Sequence, residues 1–348
     1  MRITIMLLGG LCLLGFAFRG FAQSPGPPAL PTSPHDSLSH MIRFYEDNDF
    51  INIWFDGSDD AYTNGTRIDY FYQPKNAGRF FLNRWMPGAG DSSIDVYGWG
   101  VMQIMYTPND LIDPNYQPND YPWSGGMIGT HTRYSYNPEQ HYDLQTELVL
   151  GVVGPAALDR QTQSLIHTII QYYQPTGWSH QFANDLLLNV NFTAEKQLLS
   201  LGSVVNIIGG AQVYAGTMQN GASLYPLLLI GKMNPYFNGF FSQNASVGRE
   251  KGHQRWQLYF FAKPQLQYYL SNALLQGGLF TTNPNLHQLK DSTLPSYHPL
   301  QSWVPSFTYG VNASCGHWGF SGSQVISAAT LRGLYCHNYG NVSLFYSW

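Results

Sequence analysis

The chain has 348 residues, of which 11% are charged and 15% aromatic, and its formal net charge is −4. Soluble domains carry about 25% charged residues, and a mildly acidic balance leaves no electrostatic footprint for nucleic acid. After residue 22 no segment approaches the twenty apolar residues of a membrane helix; the longest run, Leu224 to Ile230, has seven.

Met1-Arg2-Ile3, an apolar stretch from Ile5 to Phe18 and the exit Gly20-Phe21-Ala22 read as a secretory signal peptide over residues 1–22, with cleavage expected after Ala22. Leu11 stands before Cys12 where a lipoprotein would carry a small residue, so Cys12 reads as signal-peptide filler. Without Arg2 and Arg19 the mature chain holds fifteen basic against twenty-one acidic residues. Residues 23–40 form a stiff lead-in with Pro25, Pro27, Pro28, Pro31 and Pro34, and the folded part is expected over residues 41–348.

From there the dominant period is two. Trp256, Leu258, Phe260, Ala262, Pro264, Leu266, Tyr268 and Leu270 alternate with a mixed polar set over sixteen residues, too long for an ordinary sandwich strand. Similar alternation at 42–49, 66–72, 94–106, 127–136, 142–153, 186–193, 204–215, 224–232, 303–315, 319–331 and 341–348 brings the total to about twelve. An even number suits a closed antiparallel transmembrane barrel, which satisfies every backbone group in lipid. A soluble β-sandwich is the competing architecture; low charge, the signal peptide and the terminal Trp348 argue against it. One stretch breaks the period: Leu158, Leu165, Ile166, Ile169 and Ile170 recur at helical spacing before Pro175-Thr176-Gly177-Trp178, which predicts a short helix from Asp159 to Gln171 in a loop. Cys315 and Cys336 could form a single bridge in an oxidising compartment.

The chemistry-bearing residues are individually ambiguous. G-x-S-x-G, H-E-x-x-H, P-loop and dinucleotide motifs are absent. Gln163 and His167, four apart, share one helix face, and His167 could act as a general base, although a surface helix carries such a pair by chance. Asn48-Asp49 could bind a hard cation or support an oxyanion, or be a turn. Thr63 could donate its hydroxyl, or Tyr62-Thr63-Asn64-Gly65 could be an ordinary turn with positive φ at Asn64-Gly65.

Taken as a spaced set, the residues resemble the lipid A 3′-O-deacylase (LpxR) family of outer-membrane enzymes. The similarity, from about Met41 to Trp348, is carried by Asn48-Asp49, Tyr62-Thr63-Asn64-Gly65, Tyr106-Thr107-Pro108-Asn109-Asp110, Asp120-Tyr121-Pro122, Gly151-Val152-Val153-Gly154-Pro155, Gln163-x-x-x-His167 and Gly177-Trp178-x-x-Gln181. The resemblance implies a twelve-stranded barrel with a calcium-dependent site between the wall and the loop helix, acting on lipid A in the outer leaflet. It implies His167 as the base, with Asn48, Asp49, Thr63 and Gln163 completing the site. Two departures stand out. Tyr173 occupies the place of an acidic residue six positions after the histidine, which leaves a cation to Asp49 with Asp56 or Asp185; and Asp120-Tyr121-Pro122-Trp123 differs from the family's Asp-Arg-Pro-Tyr. A silent or pore-type barrel and an outer-membrane phospholipase are the alternatives.

Overall fold

The computed structural model describes residues 38–52, 61–74, 80–247, 255–281 and 299–348. The expected signal peptide, nearly all of the lead-in and Asp56 lie outside the described residues.

Twelve strands close into an antiparallel barrel in which each pairs with its sequence neighbours and the first with the last. They are β1 (His40–Asn48), β2 (Ala61–Tyr72), β3 (Ile94–Thr107), β4 (Ser124–Asn137), β5 (Tyr142–Val153), β6 (Asp185–Leu201), β7 (Val205–Gly216), β8 (Gln219–Lys232), β9 (Trp256–Asn272), β10 (Trp303–Cys315), β11 (Trp318–Ser327) and β12 (His337–Ser347). Closure removes the edges that lipid could not hydrogen-bond. The alternation read from sequence is realised: Ile42 and Phe44, Ile68 and Tyr70, Leu186 and Leu188, and Leu258 and Phe260 stand exposed on the outer wall. Their neighbours turn inward. The long connections 154–184 and 273–302 share the end opposite the termini, which is the extracellular end by the rule that periplasmic turns are the shorter ones.

Side chains fill the lumen. Arg43 and Arg67 both pair with Asp69, and Arg67 also reaches Glu147. Near the end that carries the termini, a short helix, Phe240–Asn244, and the 3-10 turn before it enter the barrel. Phe240 stacks on Phe71 and Tyr134 and meets Phe345, while the Tyr236 hydroxyl donates to Glu195. One segment thereby touches β2, β4, β6 and β12. At the other end a second short helix, Ala273–Gln276, packs Leu274 with Ile104, Ile128 and Leu187 and Leu275 with Tyr121, Leu300 and Leu331. An interior occupied in this way disfavours the pore-type alternative.

Two alternatives that the sequence leaves open are decided here. Tyr62-Thr63-Asn64-Gly65 opens the second strand and is not a turn: it lies inside β2, where the register against β3 shifts between Tyr62 and Asn64. Gly65 serves close approach instead, since a Cβ there would collide with the Tyr62 hydroxyl. Cys315 and Cys336 are free and exposed. They lie at opposite ends of the barrel, because Cys315 pairs with Trp318 and Trp318 with Tyr346, whereas Cys336 precedes the first residue of β12. Ten strand residues separate those levels, about 33 Å at ~3.3 Å per residue, far beyond disulfide reach.

Candidate functional site

The site is built on the outside of the wall. On β3, Trp99 and Val101 are exposed, so by parity Gln103, Met105 and Thr107 also point outward. On β4, Gly126 faces Leu274 in the lumen, so Gly125 faces out. The bulge in β2 turns Thr63 to the same face as Asn64, where its Oγ1 lies 2.7 Å from Thr107 Oγ1. On β1, Asn48 falls on the outward side opposite Asn64. Asn48 Oδ1 accepts from Phe50 N at 2.8 Å, and the Asp49 amide donates to the Thr63 carbonyl at 3.4 Å. Asn48, Thr63 and Thr107 thus form one polar patch at the upper outer rim, with Asp49 buried next to Asn48 in the chain. Asp47, two residues before Asp49, points inward and accepts from Tyr45, Tyr62 and Asn341 at 2.5, 3.0 and 2.9 Å.

Helix α1, Asp159–Ile170, lies against this outer face. Gln103 Nε2 donates to the Ala157 carbonyl at 2.7 Å, which pins the segment just before the helix. Asp159, Gln163 and His167 are its buried residues, at i, i+4 and i+8, so they form one stripe facing the wall. Between the stripe and the rim patch, Met105 packs with Leu111, Trp123 and Trp178. Trp178 Nε1 donates to Gln163 Oε1 at 2.7 Å, which fixes the amide orientation. Gln163 Nε2 has no partner among the described residues; it is a donor turned into the site. Met105 and Thr107 are two residues apart on β3, about 7 Å, so the seat of the helix and the rim patch adjoin along that strand.

The position of the His167 ring comes from backbone. Gln171 adopts φ 58°, and the Tyr172 amide donates to the His167 carbonyl at 2.8 Å, a Schellman-type turn that brings the chain back over the helix end. The Tyr173 carbonyl then lies 2.6 Å from His167 Nδ1. A carbonyl can only accept, so Nδ1 carries the proton and Nε2 is the basic nitrogen. The side chain of Tyr173 takes no part in this contact.

Asp159 was not anticipated from the sequence. It is 1% exposed, sits where any Cβ on Gly125 would collide with it, and neither carboxylate oxygen has a partner among the described residues. Burial pushes its carboxyl up to about 8. A carboxylate so placed would lose its hydration without compensation, and the acid form is the one the helix seat accommodates.

The remaining expected residues are placed as follows. Asp185 lies at the start of β6 against Gly278, where any Cβ would collide with it. Its oxygens accept amides from Leu186, Phe280 and Thr281, each at 2.7 Å, so it secures the loop after β9. Asp120 likewise ties loops together, accepting from Asn109 N, Tyr121 N and the Tyr335 hydroxyl. No group of three or more His, Cys, Asp or Glu able to hold a metal occurs among the described residues. The donors at the rim, a carboxylate, an amide oxygen and a hydroxyl, are nevertheless all hard oxygens of the kind calcium or magnesium takes.

Comparison with known proteins agrees with this architecture. The profile described as outer membrane protein LpxR matches residues 7–348. Among solved structures, LpxR from Salmonella typhimurium superimposes with a TM-score of 0.67 at 17% identity, covering 88% of this chain and 100% of that one. The β domain of the Bordetella autotransporter BrkA follows at 0.42 and 10% identity, covering 90% and 100%. Among curated proteins none matches. With nearly the whole chain matched and a closed twelve-stranded barrel in place, the protein belongs to the LpxR family of outer-membrane proteins.

Proposed function

We propose that this protein is an outer-membrane esterase that hydrolyses an O-linked acyl chain of lipid A, the 3′-linked one by its family. The observation that carries the reading is the His167 ring, held through Nδ1 by the Tyr173 carbonyl on a helix whose polar stripe faces the outer wall. Such a base lies between the helix and the outer wall, outside the lumen.

Nε2 of His167 takes a proton from water, and the water oxygen attacks the ester carbonyl. The tetrahedral oxyanion receives hydrogen bonds from Gln163 Nε2 and the rim donors. Collapse breaks the bond to the sugar oxygen, and the Nε2 proton passes to that leaving alkoxide. The free fatty acid and the sugar hydroxyl are the products. Asp49, with oxygens of Asn48 and Thr63, would hold a divalent cation, calcium in this reading, which when bound supplies positive charge for the oxyanion. Asp185 is left out of that set because its oxygens serve backbone amides.

Mass spectrometry of lipid A and phospholipids, from cells with and without the protein, tests the reading. Loss of one ester-linked acyl chain from lipid A supports it; lysophospholipid with intact lipid A would make the protein a phospholipase, and no change in either would make it a silent barrel. Chelation is expected to suppress activity, with calcium restoring it better than magnesium. Full activity in excess chelator would leave the oxyanion to protein donors alone.

A further inference from the structure

We infer that α1 is a membrane-seated helix whose C-terminal half, Leu165, Ile166, Ile169 and Ile170, lies in the hydrocarbon of the outer leaflet and holds His167 against the wall from outside. The inference depends on the outer-membrane placement of the barrel and not on the reaction it performs.

The first observation is on the wall. Along the outward side of β3 the exposure falls from 58% at Val101 to 8% at Gln103, 2% at Met105 and 0% at Thr107. Within one pleat the strand stops presenting an exposed side chain to lipid and presents covered ones, Gln103, Met105 and Thr107. What covers them is α1 and the Trp178 segment, through Gln103 to Ala157, Met105 to Trp178 and Gly125 to Asp159. The helix therefore occupies the place that bilayer would take against β3 and β4, and its own outer face becomes the lipid-facing surface there.

The second observation is on the helix. Its polar residues Asp159, Gln163 and His167 are buried while Leu165, Ile166, Ile169 and Ile170 are between 47% and 66% exposed, the reverse of a helix on a soluble protein. From Ser164 to Ile170 the only ionisable residue is His167, which faces the wall; the exposed Arg160 is at the other end. Four aliphatic side chains on one turned-out face make a patch that water does not favour. The patch is continuous with the lipid-facing band of the barrel, since the α1 segment is pinned to β3 at Gln103 and Val101 and Trp99, two and four residues back along the outward side of that strand, are exposed. Tyr172 and Tyr173, exposed just past the helix, are the amphipathic rings expected where hydrocarbon gives way to headgroups. That continuity selects lipid as the occupant over a second protein chain.

A nitroxide on Ile169→Cys, in full-length mature protein carrying Cys315→Ser and Cys336→Ser, tests the inference in phosphatidylcholine vesicles without lipid A. Greater accessibility to oxygen than to a water-soluble nickel complex, as for a control label at Leu186, is the expected result. Preference for the nickel complex would place the face in water, and exclusion of both probes would place it against protein; either overturns the inference. As a second measurement, Ile166→Lys/Ile169→Lys should retain heat-modifiable barrel mobility while its label position, read at Leu165→Cys, becomes roughly tenfold more accessible to the nickel complex. An unchanged accessibility would show that lipid does not hold the helix.

Discussion

Asp159→Asn should remove a pH dependence from the seating of α1. In the seated helix the carboxyl is raised from 3.8 to about 8, so the seated state binds a proton that the unseated state releases above pH 4. Seating is therefore fully favourable below about pH 4, weakens as pH rises, and levels off above about pH 8. At 1.36 kcal/mol per pH unit the displacement corresponds to about 6 kcal/mol as an upper bound, and one proton per molecule makes the unseating equilibrium change about tenfold per pH unit within that window. Hydrogen exchange of the α1 amides in chelator-treated micelles, corrected for intrinsic exchange, measures this between pH 5 and 9. Protection should fall with pH in the parent protein and stay flat in Asp159→Asn, whose neutral amide cannot ionise. A flat parent profile, or an equal slope in the variant, would refute the argument that the buried acid is neutral.

Other expectations follow from the same geometry. Gly125→Ala should push Asp159 off the wall and lower deacylation about tenfold through misplacement of the helix, with Gly125→Ala/Asp159→Ala recovering most of it; failure of the second change to rescue would show that the contact is not what matters. Tyr173→Ala should leave turnover within about twofold, because the backbone carbonyl and not the ring orients His167; a loss comparable to that of the histidine itself would assign the ring a role. Asp47→Asn should cost about 2 kcal/mol of barrel stability by weakening three hydrogen bonds to a carboxylate, seen in thermal loss of heat-modifiable mobility. Asp49→Asn should instead reduce turnover at equal folded protein. The opposite ranking would place the site lower on β1.

The wall was legible because burial in lipid on one side and a packed lumen on the other imposes period two on every strand. The helical break was legible from Leu165, Ile166, Ile169 and Ile170, and the shared face of Gln163 and His167 from their spacing. Asp159 escaped notice because an acid at a first helical position has an ordinary explanation in the helix dipole; its spacing of four from Gln163 was the available signal. The Tyr173 carbonyl and the β2 bulge could not be read, since both are backbone arrangements: one needs the left-handed residue Gln171, the other a register shift. The Phe240–Asn244 plug is too short to show a period, and the cysteine pairing stayed open in the sequence because strand count, not spacing, decides which end each residue reaches.

His167 is the group on which the proposed hydrolysis depends. Purified parent and His167→Ala proteins, matched for heat-modifiable folded barrel, should be compared for fatty acid released from lipid A in calcium-containing bilayers. Loss of about 10²–10⁴-fold is predicted for removal of a positioned general base, with the barrel unchanged because the residue makes no strand pairing. Turnover at the parent level by folded His167→Ala would contradict the mechanism and remove the helix from the chemistry.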